Sequence, residues 1–215
     1  MSNIGTGDLV SKFDLVAIAA SAGSCEPLMD ILSGLPANFD ASVIIVQHLY
    51  RLRPEMLSGV LQRRTKMRVK CVENRERLAR STIYTVQPGY YPLVDSGLQV
   101  TLKPVTKAHY NTADLVFGSV SMSCQNRAIA VVLSGLGSDG ARGVRAIKAA
   151  QGRVLAQDER SSAYFGMPGA SISTGCVDFV LPPKKIASAL AAFVMVNGAA
   201  ELFKVPLPSW ARLIA

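Results

Sequence analysis

Apolar residues along the chain fall into short unbroken runs, each closed by small or polar residues. The first, Asp14-Leu-Val-Ala-Ile-Ala-Ala20, leads into a Ser/Gly cluster, as expected of a strand buried on both faces. A helix is predicted next, with Ser24 as N-cap, Glu26 and Pro27 in the first turn and Gly34 at its end. The unit repeats: Ser42 to Gln47 reads as a second buried strand ending at His48, and Pro54 to Arg64 as a second helix. The middle of the chain differs. Ser81 to Val86, Tyr91 to Val94 and Leu98 to Leu102, separated by Pro88-Gly89 and Asp95-Ser-Gly97, predict a β-hairpin inserted between α/β units. Alternation then resumes with a helix from Thr112, its N-cap, to about Gln125, a strand Ala128 to Leu133, a glycine-rich turn and a helix Ala141 to Ala150. Strands Gly152 to Ala156 and Cys176 to Leu181 flank a loop and a short helix, and Lys185 to Val196 is a core helix. The pattern predicts an α/β fold: a doubly wound, mostly parallel sheet flanked by helices, with an inserted β-hairpin. The expected divisions are a leader over 1–13, one domain over 14–196 and a C-terminal extension over 197–215.

Composition narrows the class. With 49% hydrophobic and 18% charged residues and no low-complexity tract, the chain is globular and neither disordered nor collagenous. The net charge of +8 favours an anionic partner without naming it. Cys25, Cys71, Cys124 and Cys176 contain no C-x-x-C pair and the chain has 2 histidines, so no metal site is expected, and no cofactor. The thiols are expected to be reduced and buried, Cys25 included. The N-terminus lacks the positive start and apolar stretch of a signal peptide, and the longest apolar segment falls well short of the ~20 residues that span a bilayer. A cytoplasmic location is expected.

In such a sheet, ligands meet the carboxyl ends of the strands. Three predicted strands end at chemically capable residues: Ser21, His48 and Asp139. A serine hydroxyl needs an imidazole to take its proton, and a carboxylate fixes that imidazole's tautomer and stabilises its cation. Backbone amides in the turns at Ala22-Gly23 and Gly135 to Ser138 are candidates for an oxyanion hole. Each residue has a plainer alternative: Ser21 as a turn residue, His48 as a satisfied core histidine, Asp139 as a helix cap. Their joint placement at strand ends favours acyl hydrolysis. A competing motif occupies the same turn. Gly135-Leu-Gly137-Ser-Asp-Gly140 is G-x-G-x-x-G between strand and helix, with Asp158 18 residues beyond, the spacing of a dinucleotide site. Against it, Asp139 would set a negative charge beside the pyrophosphate.

Four segments, Ala17-Ile-Ala-Ala-Ser21-Ala-Gly, Ile45-Val-Gln-His48, Leu133-Ser-Gly-Leu-Gly-Ser-Asp139-Gly-Ala and Phe165-Gly-Met-Pro-Gly-Ala170, together resemble the catalytic domain of the chemotaxis protein-glutamate methylesterases. Val86-Gln-Pro-Gly89, Leu155-Ala-Gln-Asp-Glu159 and Ser173-Thr-Gly175 add to the likeness, which runs from about Asp14 to Leu190. The resemblance implies a serine-dependent hydrolase that removes methyl groups from glutamyl methyl esters on chemoreceptor-like signalling helices, with deamidation of receptor glutamines as a second expected activity. It matches Ser21 to the nucleophile, His48 to the base, Asp139 to its orienter, and the backbone amides of His48 and Leu136 to the oxyanion. Ala22, Gly23, His109, Tyr110 and Met167 are the substrate-contacting positions it implies.

Two departures stand out. The family has a hydroxyl after the nucleophile, where this chain has Ala22, and an H-x-R-P-S-V-D motif where it reads His109-Tyr-Asn-Thr-Ala-Asp114. Tyr110 and Asn111 are therefore expected to alter which receptor segment is accepted. About 13 residues precede the first strand, so no receiver domain is expected, and a separate receiver or methyltransferase protein is a further expected partner. Arg51, Arg53, Arg63, Arg64, Lys66, Arg68 and Lys70, close to His48 in sequence, form a candidate docking face, a solvated helix surface being the plainer reading. Nucleic acid is not an expected partner, because no aromatics interleave the basic stretch. Contact with membranes is expected only through receptor arrays. Beside the methylesterase stand two alternatives, a dinucleotide-binding α/β protein and a catalytically silent member of the esterase family.

Overall fold

The computed structural model describes residues 13–47, 54–108, 110–196 and 198–199. Both histidines, His48 and His109, lie outside the described residues, as do the expected leader and extension apart from Phe13, Gly198 and Ala199.

In chain order the elements are β1 (Leu15–Ala20), α1 (Cys25–Ser33), β2 (Ser42–Gln47), α2 (Pro54–Gln62), β3 (Arg68–Cys71), β4 (Thr82–Thr85), β5 (Tyr90–Val94), β6 (Val100–Pro104), α3 (Thr112–Cys124), β7 (Ala128–Val132), α4 (Ala141–Ala149), β8 (Arg153–Gln157), α5 (Gly166–Ile172), β9 (Phe179–Leu181) and α6 (Pro183–Met195). Seven strands form one sheet in the order β3-β4-β2-β1-β7-β8-β9. Every pairing in it is parallel. β5 and β6 pair antiparallel, as the inserted hairpin.

The unbroken apolar runs follow from burial on both faces. Val16, Ile18 and Ala20 of β1 meet Leu28, Ile31 and Leu32 of α1 and Ile186 and Leu190 of α6. Leu15, Ala17 and Ala19 face Val116, Phe117 and Val120 of α3 and Val144 and Ile147 of α4. A strand coated on both sides has no polar face to alternate with.

Four expectations are corrected. Ser81 to Val86 does not belong to the hairpin: β4 lies in the main sheet, paired with β2 and β3. The edge strand β3 was hidden in a basic stretch, where Arg68 and Lys70 alternate with apolar neighbours as on a one-sided edge. The last strand starts at Phe179 rather than Cys176. Before it, the Asp178 carboxylate accepts the Val154 N–H at 2.8 Å and pairs with the buried Lys148 ammonium. Cys25 is exposed rather than buried, because α1 turns Pro27, Leu28, Ile31 and Leu32 inward, whereas Cys124 and Cys176 are buried.

The sheet order also relocates the basic cluster. A crossover helix begins at the carboxyl edge of a parallel sheet and carries the chain back to the amino edge. Over its nine residues α2 travels ~13.5 Å at 1.5 Å per residue. The exposed Arg63, Arg64 and Lys66 between α2 and β3, with Arg68 at the start of β3, therefore sit at the amino edge, opposite Ser21. Lys70 is engaged by Glu76 at 2.8 Å, and Arg51 and Arg53 lie outside the described residues. The candidate docking face near His48 is thus largely displaced to the other end of the sheet.

Candidate active site

The chain leaves β1 for β2 on one side and later returns to lay β7 on the other. The carboxyl ends of β1 and β7 consequently flank the point where the winding reverses, the position at which open α/β sheets leave a crevice. Ser21 follows β1 there and is half-buried. Its N–H donates to the Ser134 carbonyl at 3.1 Å, which ties the nucleophile candidate to the turn after β7. Ala20, the residue before Ser21, is in register with Gln47, the residue before His48 in the sequence.

The turn after Ser21 is closed from within. Ser24 does not cap α1 with its side chain: its Oγ donates to the Ser21 carbonyl at 2.5 Å. Gly23 has φ +74°, and a Cβ there would stand 2.5 Å from Ala163 Cβ, so glycine is required both by conformation and by space. Ser134, fully buried, joins three segments. Its Oγ donates to the Ala22 carbonyl at 2.8 Å and accepts the Tyr164 N–H at 3.0 Å, while its own N–H donates to Gln157 Oε1 at 2.9 Å.

Gly135 lies against Ser21. A Cβ on it would stand 2.9 Å from Ser21 Cβ and 2.2 Å from the Met167 sulfur. Met167, one of the expected substrate positions, is fully buried, with its sulfur packed against Gly135. Gly166 packs as closely on the far side, where a Cβ would be 2.9 Å from both N and O of Gly137. Leu136, between these glycines, is 64% exposed.

Asp139 is 8% exposed. It caps a helix, but not the one it precedes. Its Oδ2 accepts the Ala113 N–H at 2.9 Å and its Oδ1 the Asp114 N–H at 3.0 Å, the first-turn amides of α3. Asp114 returns the arrangement, its Oδ1 accepting the Gly143 N–H of α4 at 2.8 Å. Each helix is thus capped by a carboxylate from the other's segment, where Thr112 was expected to cap α3 itself. Burial, with the nearby Asp139 charge adding to it, holds the Asp114 carboxyl above its usual range.

Tyr110, 63% exposed, precedes α3 on the rim of a cleft of about 320 Å³ that also includes Asn111, Asp114 and Arg142. Of the expected substrate positions, Ala22 is half-buried and Gly23 exposed beside Ser21, while His109 is outside the described residues. Sequence reasoning missed Ser134, Gln157 and Asp114 as supports. Ser134 and Gln157 were visible only as polar residues closing apolar runs, and the cap exchange joins residues 25 and 29 apart, beyond any local pattern.

The dinucleotide alternative is not favoured by this geometry. The first glycine of the G-x-G-x-x-G turn, Gly135, is closed off by Met167 and Ser21, the backbone of Gly137 lies against Gly166, and Asp158 accepts hydrogen bonds from Ser161 in its own turn. Among the described residues no helix is long and apolar enough to cross a membrane.

The fold is that of a doubly wound α/β protein with Ser21 and the buried Asp139 on the carboxyl edge of its parallel sheet. The chain belongs to the CheB methylesterase family, which it matches over residues 16–190. It is 36% identical over 185 residues to a protein-glutamate methylesterase/protein-glutamine glutaminase of Carboxydothermus hydrogenoformans, covering 83% of this chain and 54% of that protein. It is 34% identical over 186 residues to the protein-glutamate methylesterase FrzG of Myxococcus xanthus, covering 86% and 56%. The crystal structure of the Thermotoga maritima CheB methylesterase catalytic domain superposes with a TM-score of 0.79 at 27% identity, covering 85% of this chain and 99% of that domain. The chain spans about half the length of the curated relatives it matches.

Proposed function

We propose that the chain is a serine-dependent protein-glutamate methylesterase that also deamidates glutamines, acting on methylated chemoreceptor-like helices from the cytoplasmic side. The observation that carries this reading is the register of β1 and β2, in which the residues preceding Ser21 and His48 are paired, with Asp139 buried on the same edge. In the proposed reaction Ser21 Oγ attacks the ester carbonyl of the glutamyl side chain as His48 takes its proton. The tetrahedral oxyanion meets the backbone amides of His48 and Leu136. Collapse expels methanol, which takes the proton from the imidazolium, and leaves a glutamyl ester on Ser21. Water, deprotonated by His48, releases the glutamate. A glutamine follows the same route with ammonia as the leaving group.

Asp139 suits the orienting role because its carboxylate is held by neutral amides. Their partial charges fix its position but leave its full negative charge to stabilise an imidazolium. The test is methanol release from a methylated receptor fragment. Ser21→Ala is expected to lower kcat by about 10⁴-fold or more with the fold unchanged, and the wild-type rate should fall in acid as the imidazole becomes cationic. An undiminished rate in Ser21→Ala, or one flat between about pH 5 and 8, would remove this reading in favour of a silent binding partner.

A further inference from the structure

The helices α3 and α4 both begin at the carboxyl edge of the sheet, the edge that carries Ser21. Between their first turns opens the cleft of about 320 Å³, with Tyr110 and Asn111 on the α3 side, Arg142 on the α4 side, and Leu115 and Ala146 along its walls. Its two charged residues are differently disposed. The Asp114 carboxylate is turned onto the Gly143 N–H at 2.8 Å and serves the helix junction. Arg142 is exposed, and among the described residues no carboxylate pairs with it. The cleft therefore offers aliphatic walls, an exposed aromatic ring at the mouth and a guanidinium at the rim.

We propose that this cleft is a second side-chain subsite for the protein substrate, taking a glutamate that flanks the modified glutamyl ester, with Arg142 as its charge partner. The inference rests on the methylesterase reading and adds to it what the enzyme requires next to the scissile group. A glutamate fits the chemistry better than an aspartate or an apolar residue. Its methylenes lie along Leu115 and Ala146 while its carboxylate reaches the guanidinium, which forms two parallel hydrogen bonds with such a group. The cleft abuts the amides that hold Asp139, so a substrate side chain docked there approaches the reacting edge without displacing any part of it.

The experiment uses the full chain and two helical peptides carrying one glutamyl methyl ester, with either glutamate or glutamine at the flanking position. Wild type should prefer the glutamate peptide by about fivefold in kcat/KM, chiefly through KM, the size expected of one partly exposed ion pair. Arg142→Glu should abolish or invert this preference and favour a peptide with lysine at that position. Equal preferences in wild type and Arg142→Glu would overturn the subsite. Peptide affinity is measured in parallel in the Ser21→Ala background by fluorescence anisotropy. If wild type turns over neither peptide, the methylesterase reading fails, and this binding arm still decides the subsite by the presence or absence of the Arg142-dependent preference. Binding of free glutamate with the same Arg142 dependence but no peptide discrimination would also overturn it.

Discussion

Two aspartates at opposite ends of the same sheet are fixed in different ways. At the amino edge Asp14 meets Arg80 at 2.7 Å and Arg127 at 2.5 Å, and Arg80 reaches on to Asp40 at 3.2 Å and to the Phe13 carbonyl at 3.2 Å. At the carboxyl edge Asp139 is held by the two α3 amides at 2.9 and 3.0 Å. A carboxylate between two guanidiniums is neutralised where it stands, whereas one held by amides keeps its charge for a further partner. The end of the sheet that ties distant segments together uses opposite charges. The end proposed for chemistry uses backbone donors, buried hydroxyls and glycine contacts, which set positions without cancelling the charge the reaction needs. The basic loop of Arg63, Arg64 and Lys66 belongs to the first end, away from Ser21.

The largest effect expected from breaking this contrast is on turnover. Asp139→Asn should lower kcat by about 10⁴-fold, because an amide can present an N–H where the imidazole must donate. It should also weaken the α3 cap by about 1 kcal/mol. Steady-state methanol release and thermal unfolding measure the two separately, and a kcat within tenfold of wild type would show that Asp139 is a cap alone. Gly135→Ala comes next. The added methyl must displace the Met167 sulfur or Ser21 Cβ, so a loss of about 10²-fold in kcat is expected, together with overpacking destabilisation of about 2 kcal/mol. Relief of the rate loss by Met167→Ala in the same chain would identify the sulfur contact as the cause.

The same contrast explains what was legible beforehand. The central strands were readable because residues buried on both faces form uninterrupted apolar runs, and Ser42–Gln47 was placed to the residue. Edge elements were not: β3 alternates like a solvent-facing segment, and the Phe179–Leu181 strand is shortened by a carboxylate bonded to another strand. At the site, Ser21 and Asp139 were visible because reactive side chains at strand ends need no tertiary information. Their supports did. Met167 looks like any substrate-facing methionine until the sheet order puts its sulfur beneath Gly135, and the cap exchange of Asp114 and Asp139 exists only once α3 and α4 are packed together.

At the amino edge the effect should appear in stability alone. Asp14→Ala leaves Arg80 and Arg127 without their shared acceptor, and the two arginine side chains are 38% and 47% exposed, so each pair is screened. A loss of about 1–2 kcal/mol in urea unfolding is expected, with kcat and KM unchanged. A drop in kcat as large as that of Gly135→Ala would break the division of labour between the two edges.

The smallest effect concerns the pH dependence of the helix junction. Burial holds the Asp114 carboxyl above its ordinary value of 3.8, and the neighbouring Asp139 charge pushes in the same direction. The folded chain therefore keeps this proton to higher pH than the unfolded chain does. Between the ordinary value and the raised one, folding takes up a proton, so this group's contribution to stability is full at low pH and declines as the pH rises through that window. Asp114→Asn retains an oxygen to accept the Gly143 N–H but has no proton to lose. Its stability should thus gain on wild type as the pH is raised across the carboxylate range and run parallel above it, whatever the fixed offset between the two. Urea unfolding at a series of pH values reads the slope directly. Identical slopes in the two proteins would mean that the carboxylate facing α4 is not the group that titrates.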